Sequence, residues 1–189
     1  MISLRRVVRI AAIATLTLAT LAAPVEAEEN PLRIEVRLSE RSLDVFLDDE
    51  RIKAYVVAIG KPDHPTPRGE FKIAHLVWNP RWVPPNSRWA RNKKPTPPGH
   101  PDNPMKVVKL FFKEPDYYIH GTDADDSLGQ EASHGCIRMA QGDVEELGKL
   151  AMEHGGRWRE ERWFRRILRL NREHHVRLST PVSIVIMKR

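Results

Sequence analysis

Leu32-Arg33-Ile34-Glu35-Val36-Arg37-Leu38-Ser39-Glu40-Arg41-Ser42-Leu43-Asp44-Val45-Phe46-Leu47 decides the fold class. Ile34, Val36 and Leu38 recur at every second position, as do Leu43, Val45 and Leu47 after the polar break 39–42. A period of two puts alternate side chains on one face of a strand, whereas a helix would require apolar residues three and four apart. The stretch therefore reads as two strands joined by a turn. Asp48-Asp49-Glu50 makes a second turn into 52–59, so residues 32–59 are expected to form an antiparallel meander.

Working outward, 60–69 is too rich in proline and glycine for a regular element, and 70–77 is expected to be the next strand. Residues 107–112 and 117–120 read as two more, with His120 at the end of the second. The spacing of Val144, Leu147, Leu150 and Ala151 predicts a helix over 143–152. Residues 181–187 are expected to be a closing strand.

Two segments interrupt this pattern. Residues 79–104 hold eight of the fifteen prolines, with Arg81, Arg88, Arg91, Lys93 and Lys94 against the single acid Asp102. A loop of that length is either functional or disordered, and Trp82 and Trp89 argue for packing, so a lid or substrate wall is weighed equally with a plain surface loop. Residues 157–173 carry seven arginines against three glutamates. The spacing of Trp163, Ile167 and Leu170 predicts a basic helical insertion over 157–175. Such a helix docks on the core with a solvated arginine face, or lies on an anionic wall or membrane surface; core docking is the stronger reading.

The N-terminus reads as an export signal over 1–27: Arg5, Arg6 and Arg9 precede the apolar run 10–23, and Val25-Glu26-Ala27 offers a small-residue cleavage site. The run is shorter than the ~20 residues that span a bilayer. An exported, periplasmic domain over 32–189 is expected, with membrane association as the variant reading. The formal net charge of +6 suits anionic polymers or surfaces, although solubility alone explains such a value; no nucleic-acid partner is expected.

Export changes the meaning of Cys136, the only cysteine in 189 residues. In an oxidising compartment an unpaired thiol is an inert buried side chain, an intermolecular pairing site or a working nucleophile. Its setting, Ser133-His134-Gly135-Cys136-Ile137-Arg138-Met139, favours the last. A thiolate is the nucleophilic form, and an imidazolium lowers the thiol pKa. His134 can do this if the segment is extended, with both side chains on one side. His120, in Tyr118-Ile119-His120-Gly121-Thr122, can do it if the fold brings it in. Gly135 allows a sharp turn and a close approach of substrate to the Gly135 and Cys136 N–H groups as an oxyanion hole. Arg138 offers a bidentate clamp to a carboxylate. Together these suit acyl transfer on an anionic, amide-containing substrate. His120, His134 and Cys136 match no common zinc spacing, and neither metal nor prosthetic group is expected.

With those residues in hand, the chain resembles the YkuD-type, ErfK/YbiS-like L,D-transpeptidases, exported enzymes of peptidoglycan. Pro65-Thr66-Pro67-Arg68-Gly69-Glu70-Phe71 is similar to the family's upstream P-T-P-x-G-x-F signature, and 119–122 with 133–139 is similar to its catalytic signature. The resemblance implies a mostly β fold, a curved β-sandwich or barrel-like sheet with one or two packed helices and a long proline-rich loop. It further implies that Cys136 attacks the diaminopimelate–D-alanine amide of a stem peptide. His120 would be the base, held by the Gly121 carbonyl, while Ser133, His134, Gly135 and Arg138 would shape the pocket. The acceptor would be a second stem, a lipoprotein lysine, another amine or, in an L,D-carboxypeptidase or hydrolase, water. A wall-binding protein that has lost turnover is the rival from another class. Asn103-Pro104-Met105-Lys106 departs from relatives that carry a glycine-containing turn there, and 157–173 is longer than the usual link.

Overall fold

The computed structural model describes residues 30–189; the expected leader, 1–27, lies outside them. The alternation over 32–47 is realised as β1 (Leu32–Arg37) and β2 (Ser42–Leu47), paired antiparallel with Ile34 opposite Val45 and Val36 opposite Leu43. All four are fully buried, so this register sends one face of each strand to the core. β3 (Glu50–Val56) completes the meander, and the chain then leaves it earlier than expected. Residues 59–60 form a separate short strand, β4 (Ile59–Gly60).

The remaining elements are β5 (Gly69–Trp78), β6 (Lys106–Lys113), β7 (Tyr117–Thr122), β8 (Glu131–Ser133), β9 (Ile137–Ala140), helix α1 (Gln141–His154), helix α2 (Glu161–Ile167) and β10 (His174–Met187). Eight strands make one sheet in the order β3-β2-β1-β10-β5-β6-β7-β9, and β4 pairs with β8. Two pairings within the large sheet, β1 with β10 and β7 with β9, are parallel. Just beyond β3, Ala58 exchanges two backbone hydrogen bonds of 2.9 Å with Arg138 of β9, the strand at the other end of the order. This bridge ties the two edges and nearly closes the sheet into a barrel, leaving little open edge.

Helix α1 packs chiefly on β6 and β7, and both helices add buried side chains to the core. Trp78, fully buried at the end of β5, donates from its indole to Met152 Sδ of α1 at 3.0 Å and packs on Phe164 of α2, with ring centroids 4.9 Å apart. Gly148 makes the contact possible: a Cβ there would stand 2.9 Å from the indole. Trp78→Ala is therefore expected to destabilise the protein by about 3–5 kcal/mol, read as a lower urea midpoint with little change in slope.

The basic segment differs from its expected form. Only Glu161–Ile167 is helical, and it docks on the core through Phe164 and Ile167, 3% and 1% exposed. His174 and His175 belong to β10, opposite Trp78 and Val77 of β5. Pairing with β5 recruits these polar residues into the sheet, and the register shift between Arg177 and Val182 absorbs Pro181, which has no N–H to give a ladder. Between helix and strand, the Asn79 side chain donates to the Leu170 and Arg172 carbonyls and fixes the turn.

The proline-rich segment is pinned at its base. Trp82 and Thr96 exchange two hydrogen bonds of 2.9 Å, and the buried Asn103 amide donates to the Pro80 and Pro97 carbonyls at 2.8 and 3.0 Å. Its only helical piece is the single 3-10 turn Arg88–Ala90. Among the described residues no helix is long and apolar enough to cross a membrane.

Candidate active site

Strand register collects the site. Ile119 of β7 pairs with Ile137 of β9 and with Leu110 of β6, and all three are fully buried in the core. Side chains alternate along a strand, so their neighbours Lys109, Tyr118, His120, Cys136 and Arg138 project from the opposite face. That face would be wet in an open sheet. Here the proline-rich segment lies over it: the Arg81 carbonyl accepts a 3.1 Å hydrogen bond from Lys109 Nζ, and the Pro104 carbonyl reaches the His120 ring.

Cys136 ends a turn that its neighbours build. Ser133 Oγ accepts from the Gly135 N–H at 3.0 Å and donates to the Cys136 carbonyl at 2.5 Å. Gly135 has φ +108°, a conformation open to glycine but not to L side chains, and a Cβ there would lie 2.7 Å from the Tyr117 ring. The turn spends the Gly135 N–H on Ser133 Oγ, so of the two N–H groups expected to bind an oxyanion that one is already occupied. The upstream 65–71 motif supports it from behind. Thr66 Oγ1 accepts from the Gly60 N–H at 2.8 Å, Gly60 pairs with Ser133, and the Pro65 carbonyl closes on Gly135 at 3.4 Å from the position of a Cβ. Two motifs about sixty residues apart thus form one turn.

The same turn separates His134 from the thiol. With Gly135 in a left-handed conformation the segment is not extended, and the two side chains do not share a side. His134 is sandwiched instead, stacked on Trp89 of the proline-rich segment at 4.0 Å and 12°, with His64 4.9 Å away. His120, His134 and Cys136 do not converge into a metal-ligand group. The Trp89 contact brings the proline-rich segment against the cysteine turn.

His120 is 3% exposed, and its Nδ1 lies 2.8 Å from the Gly121 carbonyl. That acceptor assigns the proton to Nδ1 and leaves Nε2 as the basic nitrogen. Burial pushes the His120 pKa down to about 3, opposed by the Gly121 carbonyl. Burial likewise pushes the half-buried Cys136 thiol up to about 11. Resting thiol and imidazole are thus both neutral. Cys136 Sγ points to the Asp116 carbonyl at 3.4 Å and to Tyr118 and makes no hydrogen bond to His120.

Tyr118 and Lys109 went unnoticed as site residues in the sequence. The Tyr118 hydroxyl hydrogen-bonds Cys136, and burial raises its pKa, so it is a neutral donor to sulfur. Lys109 Nζ stands 4.8 Å over the Tyr118 ring. Placed in Val107-Val108-Lys109-Leu110-Phe111-Phe112, it reads as the polar half of an alternating strand.

The comparisons agree with this architecture. The L,D-transpeptidase catalytic-domain model YkuD matches residues 31–184, and the chain belongs to that family. A Bacillus licheniformis protein named as the L,D-transpeptidase YkuD is 36% identical over 64% of this chain and 60% of its own length. Bacillus subtilis YqjB, also named as an L,D-transpeptidase, is 37% identical over 63% and 68%. The fold superposes on an L,D-transpeptidase from Mycobacterium smegmatis with a TM-score of 0.52 at 17% identity, covering 83% of this chain and 58% of that one. The chain therefore spans about three fifths of the length of the first relative and of that structure.

Proposed function

We propose that the protein is an exported L,D-transpeptidase that carries out cysteine-dependent acyl transfer on peptidoglycan stem peptides. The observation that carries this reading is the placement of Cys136, Tyr118, His120 and Arg138 on one covered face of β7 and β9. A thiol, a base with one nitrogen free and a cation face a single space, and a binding protein would need no such set.

The steps follow from the geometry. Rotation about the Cys136 side chain moves Sγ from the Asp116 carbonyl toward His120. As sulfur attacks the carbonyl carbon of the diaminopimelate–D-alanine amide, its proton passes to Nε2, and the oxyanion forms at the Cys136 N–H. The imidazolium, steadied through Nδ1–H by the Gly121 carbonyl, returns the proton to the D-alanine nitrogen as the C–N bond breaks. A thioester remains on Cys136. An acceptor amine from a second stem or a lipoprotein lysine then attacks it, losing its proton to His120 and releasing the thiol. Ser133 and Gly135 hold the turn, His134 carries the wall formed by Trp89, and Arg138 faces the substrate carboxylates. Exposed Trp158 (59%) with Arg159 and Arg162 supports contact with an anionic wall surface.

The test is product analysis by mass spectrometry after purified protein meets disaccharide-tetrapeptide, with a free D-amino acid as probe acceptor. Cross-linked dimer or exchanged D-amino acid is the expected product. Tripeptide alone would make water the acceptor and the protein an L,D-carboxypeptidase.

A further inference from the structure

We propose that Lys109 is a specificity-determining residue for the acyl donor, its ammonium receiving a carboxylate of the substrate beside Cys136. The inference rests on the acyl-transfer reading for the identity of the ligand, and on the site itself for the charge. Lys109 pairs with His120 across β6 and β7, on the face that holds Tyr118 and Cys136, and it is 9% exposed. Lysine is almost never buried this deeply without a counter-charge.

None is in place. Among the described residues no carboxylate lies within ion-pair distance of Lys109. An ammonium has three donors, and one is used, on the Arg81 carbonyl; the Tyr118 ring face accounts for a second contact. The charges around it are unbalanced. Arg81 on the covering segment is a second cation, paired with Glu173 at 3.7 Å, and Arg138 is a third beside the thiol, so the cations outnumber the acids. Glu173 acts on Lys109 only from beyond contact, Asp116 turns its backbone carbonyl to the site, and the resting thiol is neutral. Burial lowers the Lys109 pKa, and negative charge at Glu173 or Cys136 opposes that shift. An incoming carboxylate would do the same from closer range, so the ligand completes the site.

The test needs no peptidoglycan. Cys136 of the full protein is alkylated with iodoacetate and with iodoacetamide, which attack through the same carbon and differ in charge. The ratio of the two rates is normalised to that of N-acetylcysteine. Wild-type protein is expected to favour the anion, and Lys109→Gln, which keeps a donor for the Arg81 carbonyl, to lower the ratio about tenfold; the rise in the thiol's pH midpoint that follows from losing a nearby cation slows both reagents alike and leaves the ratio untouched. Lys109→Arg should retain the preference. Loss of rate by the same factor with both reagents, leaving the ratio unchanged, would overturn the proposal and make Lys109 a stabiliser of the thiolate alone. Should Lys109→Gln fail to fold, Arg138→Gln decides. A salt-sensitive preference for the anion that survives there supports Lys109, and its loss assigns the preference to Arg138. An anionic preference that depends on Lys109, in a protein that releases no D-alanine from any stem, would sink the acyl-transfer reading and leave the carboxylate site standing.

Discussion

Cys136→Ala is expected to abolish D-alanine release and acyl transfer while leaving the fold intact. The proposed thioester has no other possible origin, because Cys136 is the only cysteine in the chain. Removing a covalent nucleophile eliminates the pathway it opens, and a base or oxyanion donor acting alone leaves only a small residue of catalysis. The fold should not respond. The thiol donates weakly to the Asp116 carbonyl and accepts from the Tyr118 hydroxyl, while the turn around it is held by Ser133, Gly135 and the Gly60–Thr66 loop. Equal melting temperatures and circular dichroism for the two proteins, with product from one alone, is the expected pattern. Activity in both would move the chemistry away from Cys136 altogether.

Replacing His120 should act on both rate and stability. On the proposed mechanism His120→Gln removes the base and is expected to slow D-alanine release by roughly 10²–10⁴-fold, the usual range for a positioned general base. Because His120 titrates near 3 and Cys136 near 11, thiol and neutral imidazole coexist across the intervening range. The kcat/KM for that step should then be nearly flat from about pH 5 to about pH 9. A steep rise centred near the ordinary histidine pKa would contradict this.

The stability effect has a defined sign. The folded His120 binds a proton less readily than the unfolded one, so below the unfolded pKa the unfolded state holds more protons. Wild-type stability should therefore fall as pH drops from about 6.5 toward about 3, by a few kcal/mol in all. Above that window the group contributes no slope. His120→Gln should flatten this part of the curve, measured as urea midpoints from pH 7 to pH 4.

The strands that alternate were legible because one face of each is buried. Leu32 to Leu47 is the clearest case, and 107–112 and 117–120 follow it. Parallel pairing of β1 with β10 and of β7 with β9 was not legible, because it joins segments far apart in the chain, and no local pattern records which edge a strand will meet. The start of β10 was hidden for a related reason. His174, His175 and Arg177 carry no apolar alternation, and only the partner strand β5 makes them sheet.

At the site, residue types were readable and directions were not. Cys136, His120 and Gly121 stand out by chemistry and spacing, and the resemblance gave them their expected roles. His134 shared the sequence evidence for a partner of the thiol, but the left-handed Gly135 turns it to Trp89. Lys109 and Tyr118 were missed because a lysine or tyrosine on the polar half of a strand ordinarily meets water. Here the Arg81 carbonyl of the covering segment, 28 residues before Lys109, takes the place of water at its ammonium, and the Cys136 thiol does so at the Tyr118 hydroxyl.

The most direct test of the account is the intact mass of the protein trapped with tetrapeptide stem in the absence of an acceptor, followed by peptide mapping. The account predicts an adduct equal to the stem less D-alanine, on the peptide containing Cys136, labile to hydroxylamine as a thioester and missing from Cys136→Ala. An unmodified protein after D-alanine has been released, or an adduct on any other residue, would contradict it.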